Sequence, residues 1–184
     1  MRSLLCFLLL CGLSVSLPIA SSLGGDSKLE PGFKLIFNGK DFDGWQPQGK
    51  KDNHTGKAEA FGGRFKVVAG SMVIDPNVKG GAYLETVQEF NKDVVLKFDF
   101  KAGPKCNNDI FLKGIKFDIV PGNKECPTVK EGEWATCEII VTGDNVEHKI
   151  NGQTSRKSTG KKNGPFTVRA EFGAIELKNI RVKE

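Results

Sequence analysis

Short runs in which apolar and polar side chains alternate residue by residue constrain this chain more than any other feature. The clearest run spans 94–101, where Val94, Leu96, Phe98 and Phe100 alternate with Val95 and three charged residues. Strict alternation is typical of a β-strand that buries one face. Similar runs recur at 33–37, 65–69, 71–75, 110–119, 134–142, 146–150, 166–172 and 175–182, and no window has a sustained helical period. The chain is therefore predicted to be all-β.

Turn residues separate these runs and define the expected architecture. The 184 residues include 22 glycines, among them Gly70, Gly114 and Gly173 between consecutive runs. Asn151-Gly152 is the sequence of a two-residue hairpin turn. Ten to twelve short strands without an internal repeat predict a two-sheet antiparallel jelly-roll sandwich. Such a sandwich leaves a polar sheet face open, on which an extended ligand can lie.

The first residues have the layout of a secretory signal peptide. Arg2 supplies a positive charge, an apolar stretch follows from Leu4 to Leu13, and Ala20 is a small residue near the expected cleavage point. The apolar stretch is short for a membrane-spanning helix. We expect a signal peptide at 1–20, a short polar linker at 21–30 and a single domain at 31–184. The mature protein is then secreted or periplasmic, with no integral membrane anchor after the signal peptide is removed.

Three of the five cysteines remain once such a leader is removed, namely Cys106, Cys126 and Cys137. An oxidising compartment favours one disulfide and one free thiol, and three pairings are open. Cys106 and Cys126 each stand near a proline in a loop, whereas Cys137 lies within a strand-like run. We therefore favour a Cys106–Cys126 disulfide. The cysteines lack zinc-site spacing, and neither a metal nor another cofactor is predicted.

The net charge of +5 is modest and spread along the chain. No arginine-rich tract or aromatic RNA-binding motif accompanies it, so a nucleic-acid partner is not expected.

Several motifs in a fixed order resemble the 3-keto-disaccharide hydrolase domain family. They begin with Phe33-Lys-Leu-Ile-Phe-Asn-Gly-Lys-Asp-Phe-Asp-Gly-Trp45 and continue with Gly81-Ala-Tyr-Leu-Glu-Thr86, Asn107-Asn-Asp-Ile-Phe-Leu-Lys113, Glu133-Trp134 with Glu138, His148-Lys-Ile-Asn-Gly152 and the stretch 170–184. The resemblance spans about 31–184. It implies a concanavalin A-like jelly roll of the lectin/glucanase type, secretion, and the cleavage or binding of sugars.

The sequence departs from the family pattern in and around one strand pair. Asp109 stands where the family usually has glycine, and Lys116 and Asp118 stand where glutamate and glutamine are common. Ala135 replaces an asparagine, and a long family segment is reduced to 121–132. A shorter loop at the rim of a sheet removes groups that would close over a ligand.

The resemblance implies a reaction in which a ketone at carbon 3 of a sugar acidifies the proton on carbon 2. A base removes that proton, the glycosidic oxygen leaves, and water then adds. Such a site needs a base, an acid and a cation at the developing enolate. We expect the catalytic groups to be His148, Asp118, Glu171 and Arg169. Alternation places Lys97, Asp99 and Lys101 on one polar face, and other strands add candidates to it. The expected substrate-binding residues are these three together with Asn108, Asp109, Lys113, Lys116 and Trp45, whose ring could stack on a sugar.

Each of these assignments has a structural alternative. His148 alternates with Val146 and Ile150 and can equally be a packed or surface histidine, while the charged side chains can be cross-strand ion pairs. His54 is expected to be exposed, and Trp134 to be a core residue. The carboxylates also allow an ordinary two-acid glycosidase. The expected partner is a carbohydrate, an oxidised disaccharide or a glycan. The two main hypotheses for the function are an exported enzyme that cleaves 3-keto-disaccharides or 3-keto-glycosides, and a non-catalytic, lectin-like glycan-binding module.

Overall fold

The computed structural model describes residues 29–52, 54–91, 93–160 and 163–184. Within these ranges the chain is all-β, with fourteen strands in two antiparallel sheets and no helix. The predicted jelly-roll sandwich is confirmed. The predicted signal peptide and most of the linker lie outside the described residues. No helix long and apolar enough to span a membrane occurs in the described ranges.

The larger sheet contains nine strands. They are β1 (Lys34–Leu35), β3 (Glu59–Ala60), β4 (Phe65–Val68), β5 (Ser71–Ile74), β7 (Val94–Ala102), β10 (Trp134–Thr142), β11 (Asn145–Ile150), β12 (Gln153–Thr159) and β14 (Ile175–Lys183). Their order is β12-β11-β10-β7-β14-β5-β4-β3, and β1 pairs with β14.

The smaller sheet contains five strands in the order β2-β6-β13-β8-β9. They are β2 (Trp45–Pro47), β6 (Ala82–Phe90), β8 (Asn107–Leu112), β9 (Ile115–Ile119) and β13 (Gly164–Phe172). Strands that are distant in the sequence thus become neighbours, because β13 lies between β6 and β8.

The core lies between the two sheets and follows the alternation of the sequence. On β7, the residues predicted to face inward, Val94, Leu96, Phe98 and Phe100, are all buried. The residues between them are half-buried. The Phe166 ring of the smaller sheet lies 5.8 Å from that of Phe98 and 6.0 Å from that of Trp45. The contact of Phe166 with Phe98 joins the two sheets, whereas Trp45 belongs to the same sheet as Phe166.

Two glycine-containing turns have the backbone conformation that the sequence predicts. Asn151 and Gly152 have φ values of 49° and 80° and connect β11 directly to β12, as a two-residue hairpin requires. Gly173, between β13 and β14, has φ of 69°, and a Cβ atom there would lie 2.6 Å from the carbonyl oxygen of Lys105. A larger residue at that position would displace the β13–β14 connection.

Candidate functional site

A row of polar side chains crosses the outward face of the five-stranded sheet. Asp118 on β9 is opposite Asp109 on β8, Asp109 is opposite Arg169 on β13, and Arg169 is opposite Tyr83 on β6. The residues that flank them, such as Ile110 and Val168, point into the core. We call Asp118, Asp109, Arg169 and Tyr83 the charged row.

Arg169 is held at the centre of the charged row by two carboxylates. Its Nη1 atom lies 2.7 Å from Asp109 Oδ2 and 2.9 Å from Glu171 Oε2, and its Nη2 atom donates to Glu171 Oε1 at 3.0 Å. The guanidinium also lies 5.4 Å from the centre of the Tyr83 ring. The hydrogen bond to Asp109 raises the pKa of Arg169, so the guanidinium remains charged.

Asp109 and Asp118 ionise at different pH values although they are cross-strand neighbours. The Asp109 side chain has no exposed surface, and its Oδ1 atom accepts no hydrogen bond from the described residues. Burial, together with proton donation to Asp118, raises the pKa of Asp109 to about 6. Burial also disfavours the charge on Asp118, but hydrogen bonds from Asp109 and Lys116 outweigh it and lower the pKa of Asp118. Below about pH 6, Asp118 is therefore ionised while Asp109 is protonated.

Lys116 brings a second cation to the exposed end of the charged row. Its Nζ atom lies 2.5 Å from Asp118 Oδ1 and 3.7 Å from Asp109 Oδ1, and the hydrogen bond to Asp118 raises its pKa. Half of the Lys116 side chain is exposed, as is almost a third of that of Asp118. A ligand on this face can thus reach a carboxylate and an ammonium group together.

Aromatic rings provide an apolar area beside these charges. The rings of Tyr83 and Phe111 are 6.2 Å apart, and Phe111 is opposite both Thr167 and Lys116. Both rings are half-buried. An apolar ring face next to hydrogen-bonding groups suits a sugar, which has a C–H face and a hydroxyl edge.

The structure brings together five of the predicted site residues, namely Asp109, Lys116, Asp118, Arg169 and Glu171. It separates three others from them, because Lys97, Asp99 and Lys101 lie on β7 in the opposite sheet. The expectation that the charged residues of β7 share one polar face with those of the other strands is wrong. Alternation identifies a polar face of a strand but not the sheet to which the strand belongs.

The three β7 residues have local partners on the outward face of the nine-stranded sheet. Lys97 Nζ lies 3.1 Å from Glu138 Oε1, and Lys101 Nζ lies 2.6 Å from Glu176 Oε1. Asp99 accepts hydrogen bonds from Thr136 Oγ1 at 3.0 Å and Asn179 Nδ2 at 2.6 Å. These contacts agree with the alternative interpretation of Lys97, Asp99 and Lys101 as partners in cross-strand pairs.

His148 lies in the core, so its predicted role as the catalytic base is wrong. The side chain is fully buried between the sheets and stacks on Phe117, with ring centres 4.5 Å apart. Neither ring nitrogen has a hydrogen-bond partner among the described residues. Burial, with a smaller contribution from the charge of Arg156, lowers the pKa of His148 to about 4. The imidazole is neutral at pH 7 and has no access to a substrate.

Three predicted substrate-binding residues have structural roles instead. Trp45 is fully buried and donates from Nε1 to the carbonyl oxygen of Ile36 at 2.8 Å. Asn108 is buried and links its neighbours by donating to Phe172 O and accepting from the Glu171 amide. Lys113 is buried in the β8–β9 turn with φ of 54°. None of the three faces the charged row.

The predicted Cys106–Cys126 disulfide is absent, because Cys106, Cys126 and Cys137 are all free, buried thiols in the structure. The Cys106 thiol contacts the carbonyl oxygen of Ile119 at 3.5 Å, and the Cys126 thiol contacts that of Asp118 at 3.7 Å. Both sulfur atoms are thus directed at the backbone of β9 rather than bonded to each other. Burial raises the pKa of Cys126 to about 12 and that of Cys137 well above its ordinary value.

Sequence reasoning misplaced two further residues and missed several that matter. His54 is buried rather than exposed, and Trp134 is 41% exposed rather than in the core. Tyr83 and Phe111 were not singled out, although each alternates with buried neighbours and so could have been assigned to an outward face. Arg64 gave no sequence signal, because its position in a turn before β4 does not indicate burial.

No group of three histidine, cysteine, aspartate or glutamate side chains in the described part of the chain is arranged to hold a metal ion. The charged row itself contains only two carboxylates, and Arg169 and Lys116 neutralise both.

A family model described as the 3-keto-alpha-glucoside-1,2-lyase-like domain matches residues 32–125 and 117–183. A search of the curated proteins found no match. Among solved structures, a protein of Parabacteroides distasonis that carries the provisional name of glycosyl hydrolase is similar, with a TM-score of 0.62 and 17% identity over 83% of this chain and 93% of that one. The carbohydrate-binding module CBM66 of Bacillus subtilis gives a TM-score of 0.53 and 8% identity over 78% and 97% of the two chains. At such low sequence identities, the similarity to these two structures shows a shared fold and nothing more.

Proposed function

Because the chain belongs to the 3-keto-alpha-glucoside-1,2-lyase-like domain family, we propose that it is an exported enzyme that cleaves the glycosidic bond of 3-keto-glycosides on the charged row. The observation that supports this most directly is the arrangement around Asp118. The Asp118 carboxylate, the buried Asp109 side chain, whose pKa is raised, and the cations Arg169 and Lys116 lie on one open sheet face.

The proposed first step is removal of the proton on carbon 2 by Asp118. The electron pair of that C–H bond enters the enolate of the carbon 3 ketone, and Arg169 or Lys116 stabilises the negative charge that develops on its oxygen. The enolate then forms the C1–C2 double bond and expels the glycosidic oxygen, which takes up the proton that Asp118 removed, so that Asp118 is again a carboxylate. Addition of water across that double bond completes hydrolysis.

The other polar residues of the site prepare these groups. Glu171 holds Arg169 in a two-point contact, which fixes the direction of the guanidinium. Asp109 is buried and does not touch a substrate, so its role is to position Arg169. Tyr83 and Phe111 offer the apolar area on which a sugar ring can lie.

The direct test is to incubate the purified protein with a 3-keto-glucoside or 3-ketotrehalose and measure the free sugar released. Asp118→Asn removes the base with little change of volume and should lower the rate by about 100-fold or more. Asp99→Asn, a change of the same type on the opposite sheet, should leave the rate within about twofold. Equal rates for the wild type and Asp118→Asn would exclude Asp118 as the base.

A second candidate function, non-catalytic glycan binding, is favoured by a different observation. Trp134 is exposed on the nine-stranded sheet and lines a groove of about 390 Å³ together with Val68, Val73, Glu176 and Lys178. An exposed tryptophan beside polar groups is suited to stacking on a sugar ring. Binding of an unmodified oligosaccharide that Trp134→Ala weakens, without any sugar release from 3-keto-glycosides, would favour this function over catalysis.

Export is proposed from the sequence of residues 1–20, where a positive charge, an apolar stretch and small residues follow in the order of a signal peptide. The test is mass spectrometry of the mature protein in the cell and the medium. A mature chain that begins after about residue 20, found outside the cytoplasm, is the expected result. An intact N-terminus on cytoplasmic protein would overturn the proposal.

A further inference from the structure

A pocket next to Arg169 of the charged row, on the side of Glu171, is lined by more cations than carboxylates. Its volume is about 370 Å³, and it lies between the β5–β6 connection and β13. Its lining includes three cations, Arg64, Lys79 and Arg169, but only one carboxylate, that of Glu171. The net charge of these lining residues is therefore two positive.

Arg64 is the unusual member of this group. Its side chain is nearly fully buried, and its Nη atoms donate to the backbone oxygens of Asp75 and Glu171 rather than to a carboxylate. Burial lowers the pKa of Arg64 more than the charge of Asp75 raises it. The Asp75 carboxylate already receives Lys66 Nζ at 3.2 Å. A buried guanidinium without an ion-pair partner is costly, and an anion in the pocket would offset that cost.

One cation of the pocket lining is both exposed and unpaired. The Nε atoms of Arg64 and Arg169 have no hydrogen-bond partner among the described residues, but both atoms are buried, so Lys79 is the donor that a ligand can reach. Lys79 is exposed, and no carboxylate forms a salt bridge with it in the described ranges. Phe172, which is 61% exposed, adds an apolar wall. The lining therefore combines an exposed cationic donor with an exposed ring.

We propose that this pocket binds the carboxylate or sulfate group of an acidic saccharide whose neighbouring sugar ring lies on the charged row. Lys79 Nζ donates to the oxyanion, the positive charge of Arg64, which no carboxylate balances, attracts it, and Phe172 covers the apolar face of the sugar. The inference rests on the proposed function only for the position of the second ring, since Arg169 and Glu171 belong to both sites. It makes this chain selective for charged over neutral glycosides.

Titrations of the full chain with glucuronate, glucose 6-sulfate and glucose, followed by amide NMR and calorimetry, test the proposal. We expect an acidic sugar to bind about tenfold or more tightly than glucose, and added salt to reduce that preference. The amide signals of Gly80, Gly81 and Gly173 should shift on binding. The two acidic probes distinguish a carboxylate ligand from a sulfate ligand.

Variants of exposed lysines keep the test independent of folding. Lys79→Ala should weaken binding of the preferred acidic sugar by about threefold or more, whereas Lys157→Ala, an exposed lysine on β12, should not change it. Arg64→Ala is less informative, because it also removes two backbone contacts. Equal affinities for acidic and neutral sugars, or equal effects of the two lysine variants, would overturn the proposal, and inorganic sulfate binding as tightly as glucose 6-sulfate would overturn its assignment to a saccharide.

The outcome is separable from that of the proposed reaction. Release of sugar from a neutral 3-keto-glucoside without any preference for acidic sugars would leave the reaction standing and overturn the acidic-saccharide pocket. A preference for glucuronate that Lys79→Ala abolishes, without sugar release from any 3-keto-glycoside, would support the pocket and reject the reaction.

Discussion

Asp109 and Asp118 lie directly opposite each other on β8 and β9, yet the pKa of Asp109 is raised and that of Asp118 is lowered. Asp109 is buried and holds its proton up to about pH 6, whereas Asp118 is half-buried and bound by Lys116. Two neighbouring carboxyl groups in different surroundings are a common arrangement for acid–base chemistry. Here the more accessible group is the one that is ionised below about pH 6.

Removal of the Asp118 charge should lower the pKa of Asp109. In the Asp118→Asn variant burial still favours the protonated form of Asp109, but the like charge and the carboxylate that accepts its proton are lost. A titration of the Asp109 carboxyl carbon by NMR measures this change directly. A value that stays near 6 in the variant would mean that burial alone raises the pKa of Asp109.

His148 should make the protein less stable as the pH falls from about 6.5 to 4. The unfolded chain binds a proton on this histidine near its ordinary pKa, whereas the folded pKa is about 4. The stabilisation is therefore complete above pH 6.5 and is lost as the pH falls toward 4, by about 3 kcal/mol in total.

The matched variant for that measurement is His148→Leu, which removes the two unpaired nitrogens and keeps the core apolar. The difference in free energy of unfolding between the wild type and the variant, measured by denaturant titration at several pH values, should change only within this window. Subtraction of the two curves also cancels the opposite contribution of Asp109, whose raised pKa stabilises the fold below pH 6. A difference that is constant from pH 4 to 7 would mean that the pKa of His148 is the same in the folded and unfolded protein.

Alanine substitution of the two tryptophans should destabilise the protein to very different extents. Trp45→Ala removes a fully buried ring that contacts Phe37 and Phe166, so the expected cost is about 3–5 kcal/mol of unfolding free energy. Trp134→Ala removes an exposed ring whose main contact is Lys178 Nζ at 3.9 Å from its centre, so the expected cost is about 1 kcal/mol or less. Thermal and denaturant unfolding measure both values. Similar losses for the two variants would contradict the assignment of Trp45 to the core and Trp134 to the surface.

The sequence was sufficient for the fold because alternation is a local signal. The inward and outward residues of β7 could be assigned without any knowledge of its neighbours. The count of ten to twelve strands was below the observed fourteen because several strands carry no such signal. Gln153–Thr159 forms the edge strand β12, in which every residue is polar, while Trp45–Pro47 and Glu59–Ala60 are too short to show a period.

The candidate site was only partly predictable because it depends on pairing between distant strands. Asp109 and Arg169 are 60 residues apart in the sequence and become neighbours only when β13 lies beside β8. Asp99 has the same local pattern as Asp109 but belongs to the other sheet. His148 was misjudged for a related reason, since a histidine in an alternating run faces the core or the solvent according to the register of its strand.

The three described cysteines should be unreactive while the protein is folded. Burial is the largest cause of the raised pKa of Cys106, Cys126 and Cys137, and a thiol reacts as its thiolate. In the chain prepared under reducing conditions, a thiol reagent such as DTNB should therefore label these residues slowly in buffer and rapidly in denaturant. Mass spectrometry of the alkylated protein should find all three as thiols. Fast labelling of the native protein would contradict their burial, and a Cys106–Cys126 linked peptide from protein exported by the cell would mean that oxidation moves both sulfurs away from the carbonyl oxygens of β9.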